Sequence, residues 1–303
     1  MTDFRTGFIT ILGKPNVGKS TLVNALLGQK IAAVSPKPQT TRHRQLGILT
    51  TGTAQLIFVD TPGIHNPRHK LGQFFNQEAE EALEGVDVAL FLVDASIEPD
   101  DDDRLAADLL RSLRRKPDLV LVLNKIDVVP AEALEARRAA YLALVPGAPT
   151  VAISATRRDG LADLLNALES RLPVRQAEYP EDQVTDLYER EIAVELIREA
   201  ALIYLQQEVP HALAVRLDEF TERENGNAYI AATLFVERDS QKGIVIGEGG
   251  MMLKRIGSAA RKEIEAMSGR KVYLELRVKV EKDWRDDENA LRRFGYKIEK
   301  RRK

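Results

Sequence analysis

Over its first 175 residues the chain alternates short apolar runs with longer amphipathic segments. Phe8–Leu12, Gln55–Asp60, Val88–Asp94, Leu119–Asn124 and Thr150–Ser154 are rich in Val, Ile, Leu and Phe and show little polar alternation. That is how strands buried on both faces of a parallel sheet read. Between them, Lys19–Leu27, Leu71–Glu84, Asp101–Arg114, Glu132–Leu144 and Leu161–Leu172 place apolar residues three or four apart, which predicts helices with one buried face. Strand and helix in alternation predict a doubly wound α/β domain over 4–175, to which Gln45–Thr51 adds an antiparallel edge strand. Pro173 ends the last helix, and the polar stretch around Pro180 predicts a linker over 176–184. The order then changes. A long helix over Asp186–Gln207 precedes strands near Ala212–Phe220 and Tyr229–Glu237, then a Gly-rich turn, a helix through Met267 and a strand Val272–Val280. This predicts a smaller α+β domain over 185–284, with a C-terminal helix and basic tail over 285–303.

The 303-residue length suits two domains of this size, and 44% hydrophobic with 30% charged residues excludes a disordered or fibrous chain. There is no cysteine, so disulfide scaffolds and thiolate zinc sites are excluded and a reducing compartment is expected. No leader is read before Phe8. The longest charge-free stretch, Ala139–Thr156, is broken by Pro146, Gly147 and Pro149. The expectation is a soluble, monomeric, cytoplasmic protein. Charge is unevenly spread. Residues 1–184 hold 21 Lys and Arg against 24 Asp and Glu, a net −3; residues 185–241 hold 5 against 12, a net −7. Residues 242–303 hold 18 against 10, a net +8, and end Lys300-Arg301-Arg302-Lys303, which points to a polyanionic partner for that end of the chain.

Gly13-Lys14-Pro15-Asn16-Val17-Gly18-Lys19-Ser20 satisfies GxxxxGK[ST] between a predicted strand and a helix that continues through Thr21. In that setting backbone N–H groups and the helix N-terminus face phosphates, Lys19 supplies a charge to the β- and γ-phosphates, and Ser20 is a Mg²⁺ ligand. Asp60-Thr61-Pro62-Gly63 closes the next buried strand, where Asp60 would hold Mg²⁺ and Gly63 would offer an N–H to the γ-phosphate. Asn124-Lys125-Ile126-Asp127 closes another. Asp127 accepts from guanine N1–H and N2–H₂ together, a pair adenine lacks, and such a site rejects the wrong base by roughly 10⁴ or more. Lys125 would lie along the base, Asn124 would brace the loop, and Ser154-Ala155-Thr156 would give an N–H to guanine O6. Four such elements in this order define a GTP site. Between the first helix and the edge strand, Thr40 and Thr41 both qualify to close over Mg²⁺ and the γ-phosphate, and Thr41 is favoured.

The segments GKPNVGKS, PQTTRHR, DTPG, NKID and SAT resemble the Era GTPases of the TrmE–Era–septin group. The second half is similar too. Ile246-Gly247-Glu248-Gly249-Gly250 resembles a KH GxxG loop, and Lys254, Arg255 and Arg261 follow on its helix; the stretch through Trp284 to Tyr296 resembles the Era C-terminus. The resemblance spans about residues 5–296. It implies a type II KH domain that binds the single-stranded 3′ end of 16S rRNA, a role in small (30S) subunit assembly, and a lesser peripheral contact with the inner face of the cell membrane. Glycines without Cβ atoms let a backbone approach four successive nucleotides. Glu248 departs from this, since a carboxylate weakens phosphate contact beside it.

The residue after Gly63 is Ile64, where Ras-like GTPases carry a water-orienting Gln, so slow basal turnover is expected. Asn16 has two open roles. In TrmE-type relatives the matching Asn ligates K⁺ beside the phosphates; alternatively, Asn16 only braces the loop. His43 and His65 read as exposed switch residues. Two other classes compete: a constitutive RNA-binding protein with a degenerate G domain, opposed by intact Lys19, Ser20, Asp60 and Asp127, and a P-loop ATPase or kinase, opposed by Asp127. Asp127→Asn is expected to shift preference from GTP towards XTP, because an amide donates where xanthine carries an oxygen. Competition binding of the two nucleotides checks this; unchanged GTP preference would place base recognition elsewhere.

Overall fold

The computed structural model describes residues 3–37, 39–67, 69–223 and 226–296. Its contacts divide the chain into two compact units. One comprises Met1–Ala32, Thr41–Asn66 and Phe75–Asp186; the other comprises Ala33–Thr40, Pro67–Phe74 and Leu187–Lys303.

The first unit is built on a six-stranded sheet ordered β2-β3-β1-β4-β5-β6. Its strands are β1 (Arg5–Leu12), β2 (Gln45–Thr50), β3 (Ala54–Asp60), β4 (Val88–Asp94), β5 (Asp118–Asn124) and β6 (Thr150–Ala152). All neighbours run parallel except β2, which pairs antiparallel with β3 as an edge strand. The helices are α1 (Lys19–Leu27), α2 (Lys70–Glu81, of which the part from Phe75 belongs to this unit), α3 (Asp101–Ser112), α4 (Ala131–Leu142) and α5 (Leu161–Glu169). Alternate residues of the central strands feed two cores. Ile9, Leu90, Leu92 and Val122 enter a cluster with α1 and α5, whereas Leu12, Phe91, Val93 and Leu121 enter one with α3 and the end of α2. Both sheet faces are therefore dry, which is why these strands carry no polar alternation. Parallel pairing brings the segments after β1, β3, β5 and β6 to one carboxyl edge of the sheet, where an open α/β sheet holds its ligand.

The segment 176–184, expected to be a linker, is tied down. Gln55 Oε1 accepts from the amides of Glu178 (2.8 Å) and Tyr179 (3.0 Å), and Val184 accepts from the Ile48 amide (2.8 Å). Asp186, expected to begin a helix, instead accepts from the Leu46 amide at 3.0 Å.

The second unit runs α6 (Glu189–Tyr204), β7 (Ala214–Glu222), β8 (Ala228–Val236), α7 (Asp239–Ile246), α8 (Met251–Ser268), β9 (Val272–Val280) and α9 (Glu288–Arg293). Strand β8 is central, antiparallel to β7 and parallel to β9. Ala228, Ile230, Ala232, Leu234 and Val236 of β8 point to one face, where α6 and α8 cover them. Helix α7 was not expected from sequence, because Gly243 followed by Ile244-Val245-Ile246 reads as a strand. It forms because Gln241 reaches back: its Oε1 accepts from the amides of Glu237 (3.0 Å) and Arg238 (3.2 Å), closing the helix N-terminus. The resulting order α–β–β–α–α–β adds α7 to the helix–strand–strand–helix–strand order read from the sequence. Within the same unit, Asp286 accepts from the Lys70 amide (3.0 Å) and lies 2.8 Å from His69 Nδ1. The basic tail from Lys300 onward lies outside the described residues.

Trp284 anchors the C-terminal segment. It is fully buried, its indole N–H donates to the Ala212 carbonyl at 2.8 Å, and its ring meets Phe294 edge-on and lies nearly parallel to Tyr296. Trp284→Ala is expected to cost about 3–5 kcal/mol, and Trp284→Phe about 2 kcal/mol through the orphaned carbonyl and lost volume. Denaturant unfolding of this unit followed by circular dichroism checks this; an unchanged midpoint for Trp284→Ala would contradict it.

Candidate functional site

The loop after β1 closes on Gly18, which takes a left-handed φ of 102° immediately before α1. A Cβ there would stand 2.4 Å from Asn124 Nδ2, so only glycine lets the loop pass under the side chain that braces it. Asn124, buried at the end of β5, donates from Nδ2 to the Val17 carbonyl (2.8 Å) and accepts at Oδ1 from the Ala155 amide (3.0 Å). One amide thus joins the phosphate loop to the loop after β6, the bracing role expected of it.

Lys19 lies buried, its Nζ donating to the carbonyls of Gly13 and Lys14, both at 3.0 Å. Burial pulls its pKa down to about 8, and the negative charge of Asp60 only partly offsets this. A buried ammonium held by two neutral carbonyls lacks a counter-charge of the size a phosphate supplies. Lys14 follows a different course from the other loop residues. Its ammonium turns away, to Asp100 (2.7 Å) and Asp103 (2.6 Å) at the start of α3, so only its backbone faces the loop interior.

Asp60, Ser20 and Thr41 converge. Asp60 Oδ2 accepts from Ser20 Oγ (2.7 Å), Thr41 Oγ1 (3.2 Å) and Gln45 Nε2 (3.3 Å), and the two hydroxyls lie 2.7 Å apart. Asp60 Oδ1 is buried and has no hydrogen-bond partner among the described residues. Burial raises the Asp60 pKa, with Ser20 and Lys19 acting against it. An orphaned carboxylate oxygen beside two hydroxyls is an all-oxygen donor set, which fits a hard divalent cation such as Mg²⁺. Thr40 is placed elsewhere: its hydroxyl donates to the Lys37 carbonyl at 2.8 Å. Gln45 was not singled out from sequence; it reads there only as the first residue of an edge strand.

At the base-reading end, Lys125 takes a left-handed φ of 64° and its ammonium meets Asp94 Oδ2 at 2.6 Å. Lys125 and Ser96 hold the Asp94 carboxyl low despite the upward push of burial. Asp127 lies 3.9 Å from the Arg157 guanidinium. Of the amides of Ser154, Ala155 and Thr156, the first donates to the Asp159 carbonyl and the second to Asn124. No such bond is made by the Thr156 amide among the described residues.

Asp60 leads into Thr61, whose hydroxyl donates to the Ile11 carbonyl (2.7 Å), then buried Pro62 and Gly63, which packs against Pro15. Ile64 is 2% exposed and sits in the apolar cluster beside Leu12 and Phe91, its amide donating to the Gly13 carbonyl. Such a side chain has nothing with which to orient water. His43 and His65 are half-buried rather than exposed, and His65 Nδ1 lies 3.1 Å from the Gly63 carbonyl. Asn16 is exposed with a left-handed φ of 65°, a conformation asparagine tolerates better than most residues.

In the second unit Gly247 joins α7 to α8 at φ 72°, where a Cβ would stand 2.7 Å from that of Met252. Gly249 and Gly250 also have positive φ, yet open space surrounds the positions their Cβ atoms would take. The loop is therefore open at these two glycines. Ile246 is half-buried, and exposed Ile244 and Met251 stand on either side of the turn. Glu248, Lys254 and Arg261 are exposed, while the Arg255 guanidinium is stacked 4.3 Å over the Tyr204 ring.

A family model described as a 50S ribosome-binding GTPase matches residues 8–125, and one described as a KH domain matches residues 208–285. The GTPase Era of Heliobacterium modesticaldum is 44% identical over 296 residues, covering 98% of both chains. That of Geobacter metallireducens is 47% identical over 294 residues, covering 97% of this chain and 98% of its own. The chain belongs to the Era GTPase family. Among solved structures, Era in complex with MgGDPNP and nucleotides 1506–1542 of 16S ribosomal RNA superposes with a TM-score of 0.92 at 39% identity, covering 97% of this chain and all of that one. An Aquifex aeolicus Era variant bound to GDP·AlF4⁻ gives 0.91 at the same identity and coverage. Era membership gives the chain a P-loop GTPase domain followed by a KH domain.

The depressed Lys19 pKa gives a pH dependence. Its folded value of about 8 lies below the ordinary 10.5, so the free protein favours the neutral amine above pH 8, and a bound phosphate restores the charge. Binding must then take up a proton, and affinity falls as pH rises. From pH 7 to 8.5, GDP affinity is expected to weaken about fourfold, with uptake of roughly three-quarters of a proton at the upper end. Calorimetry in buffers of different ionisation enthalpy reads both; no uptake at pH 8.5 would contradict the placement of Lys19.

Proposed function

We propose that the chain is a GTP-hydrolysing switch protein whose KH domain binds the single-stranded 3′ end of 16S rRNA, and that it serves maturation of the 30S ribosomal subunit in the cytoplasm. The observation that carries this is the likeness, over nearly the whole of both chains, to Era in complex with MgGDPNP and 16S nucleotides 1506–1542. The working boundaries are a GTPase domain over 4–175, a linker over 176–184, a KH domain over 185–284, and a C-terminal helix and tail over 285–303. No helix among the described residues is long and apolar enough to cross a membrane. Peripheral contact with the membrane rests on the basic tail alone.

The reaction is GTP + H₂O → GDP + phosphate. In this reading Gly13–Ser20 wrap the phosphates, and Lys19 supplies positive charge where negative charge is concentrated. Ser20, Thr41 and Asp60 hold Mg²⁺, which supplies charge neutralisation across the β- and γ-phosphates. Thr41 and Gly63 bracket the γ-phosphate from the two switch segments, and Thr21 continues the helix N-terminus behind the phosphates. Asp127 selects guanine, Lys125 and Asn124 form the wall of the base site, and Thr156 gives the N–H to O6. With Ile64 buried, no side chain at that position orients the attacking water, so basal turnover is slow. Asn16 offers an amide oxygen at the mouth of the loop, suited to K⁺.

Two experiments test the reading. Gly249→Asp with Gly250→Asp should weaken binding of a 16S 3′-end oligonucleotide at least tenfold while GTP affinity is unchanged, by fluorescence anisotropy. Surviving RNA affinity would move the interface to the basic tail. Hydrolysis should run faster in KCl than in NaCl at equal ionic strength, and Asn16→Gly, which keeps the left-handed backbone accessible, should abolish that difference. A K⁺ effect retained in Asn16→Gly would reduce Asn16 to a loop brace.

A further inference from the structure

Lys14 is 6% exposed, and its ammonium contacts two carboxylates, Asp100 Oδ2 at 2.7 Å and Asp103 Oδ2 at 2.6 Å. These same residues build the N-terminus of α3. Asp100 Oδ1 accepts from the amides of Asp102 (3.0 Å) and Asp103 (3.2 Å), while Asp103 Oδ2 accepts from the Asp100 amide (3.1 Å). Asp103 is fully buried, and its Oδ1 has no hydrogen-bond partner among the described residues. The capping box of α3 is thus also the socket for a phosphate-loop side chain. Its other end is the Lys14 carbonyl, one of the two oxygens that hold Lys19 Nζ.

We propose that Lys14 is a positioning residue for nucleotide binding: clamped by Asp100 and Asp103, it fixes the carbonyl that aims the Lys19 ammonium at the phosphates. Three features carry this. The clamp takes the Lys14 head out of reach of a nucleotide, so Lys14 acts through the backbone and not as a second phosphate ligand. The socket sits on a helix that is itself packed into the core through Ala106, Ala107 and Leu110, so the anchor is rigid. A buried carboxylate deprived of its ammonium is costly, so the chain at Lys14 has one strongly preferred arrangement. Burial pulls the Lys14 pKa down, but the hydrogen bonds and charges of both aspartates outweigh it and leave it raised, so the clamp stays charged at neutral pH.

Three variants of the full chain test this by titration with Mg·GDP and by steady-state GTP hydrolysis. Lys14→Met should weaken Mg·GDP binding about 10- to 100-fold, raising KM by more than it lowers kcat. Lys14→Arg, which keeps the charge, should restore affinity to within about threefold of wild type. Asp100→Asn keeps a good helix cap but halves the anionic clamp, and should weaken binding about three- to tenfold without lowering the melting temperature. If Lys14→Met does not fold, Asp100→Asn with Lys14→Arg decides. Wild-type affinity in Asp100→Asn or Lys14→Met, or loss of kcat with KM unchanged, would overturn the inference. Wild-type protein that fails to bind Mg·GDP would instead overturn the GTPase reading itself.

Discussion

The nucleotide site depends on keeping opposite charges, Lys19 and Asp60, in the dry carboxyl edge of a parallel sheet. Each is costly there: burial drags the ammonium towards neutrality and pushes the carboxyl the same way. Neutral groups hold each of them, and their opposite charges offset the burial only in part. Lys19 has two carbonyls, and Asp60 has two hydroxyls and an amide with one oxygen left over. A phosphate and a divalent cation supply the missing charge to both. Preorganised charges of this kind count for most in a water-poor pocket.

That arrangement explains what surrounds it. Asn124 spans from the phosphate loop to the loop after β6, so the phosphate and base ends cannot drift apart. Gly18 is required by Asn124, and Lys125 is pinned by Asp94 from the neighbouring strand. The site is assembled from strand ends that the parallel sheet already places side by side. The second unit solves a different problem. Its glycine loop is open at Gly249 and Gly250, while Gly247 is tightly packed against α8.

The elements expected to bind phosphate, metal and guanine stand out in the sequence because such chemistry demands particular residue types at short, fixed spacing. Gly13 to Ser20, Asp60 to Gly63 and Asn124 to Asp127 fall where expected, each at the end of a strand whose apolar run was plain. What escaped depends on partners far along the chain. Lys14 reads as one more residue of the nucleotide loop until α3 brings Asp100 and Asp103 to it, and Gln45 reads as an edge-strand residue until β3 brings Asp60. Helix α7 was hidden by its β-branched run, overridden by the cap that Gln241 makes. The polar composition of 176–184 gives no sign that Gln55 supplies its backbone with hydrogen-bond partners.

The central claim is that Mg²⁺ and a guanine nucleotide together satisfy a site the fold leaves uncompensated. Thermal unfolding of the first unit with Mg·GDP, GDP plus chelator, and Mg·ADP, each at equal concentration, tests it most directly. A ligand at 100 times its Kd stabilises the folded state by about 2.7 kcal/mol. The account predicts a rise of several degrees with Mg·GDP, a smaller one with GDP alone and none with Mg·ADP. An equal rise with Mg·ADP, or none with Mg·GDP, would contradict it.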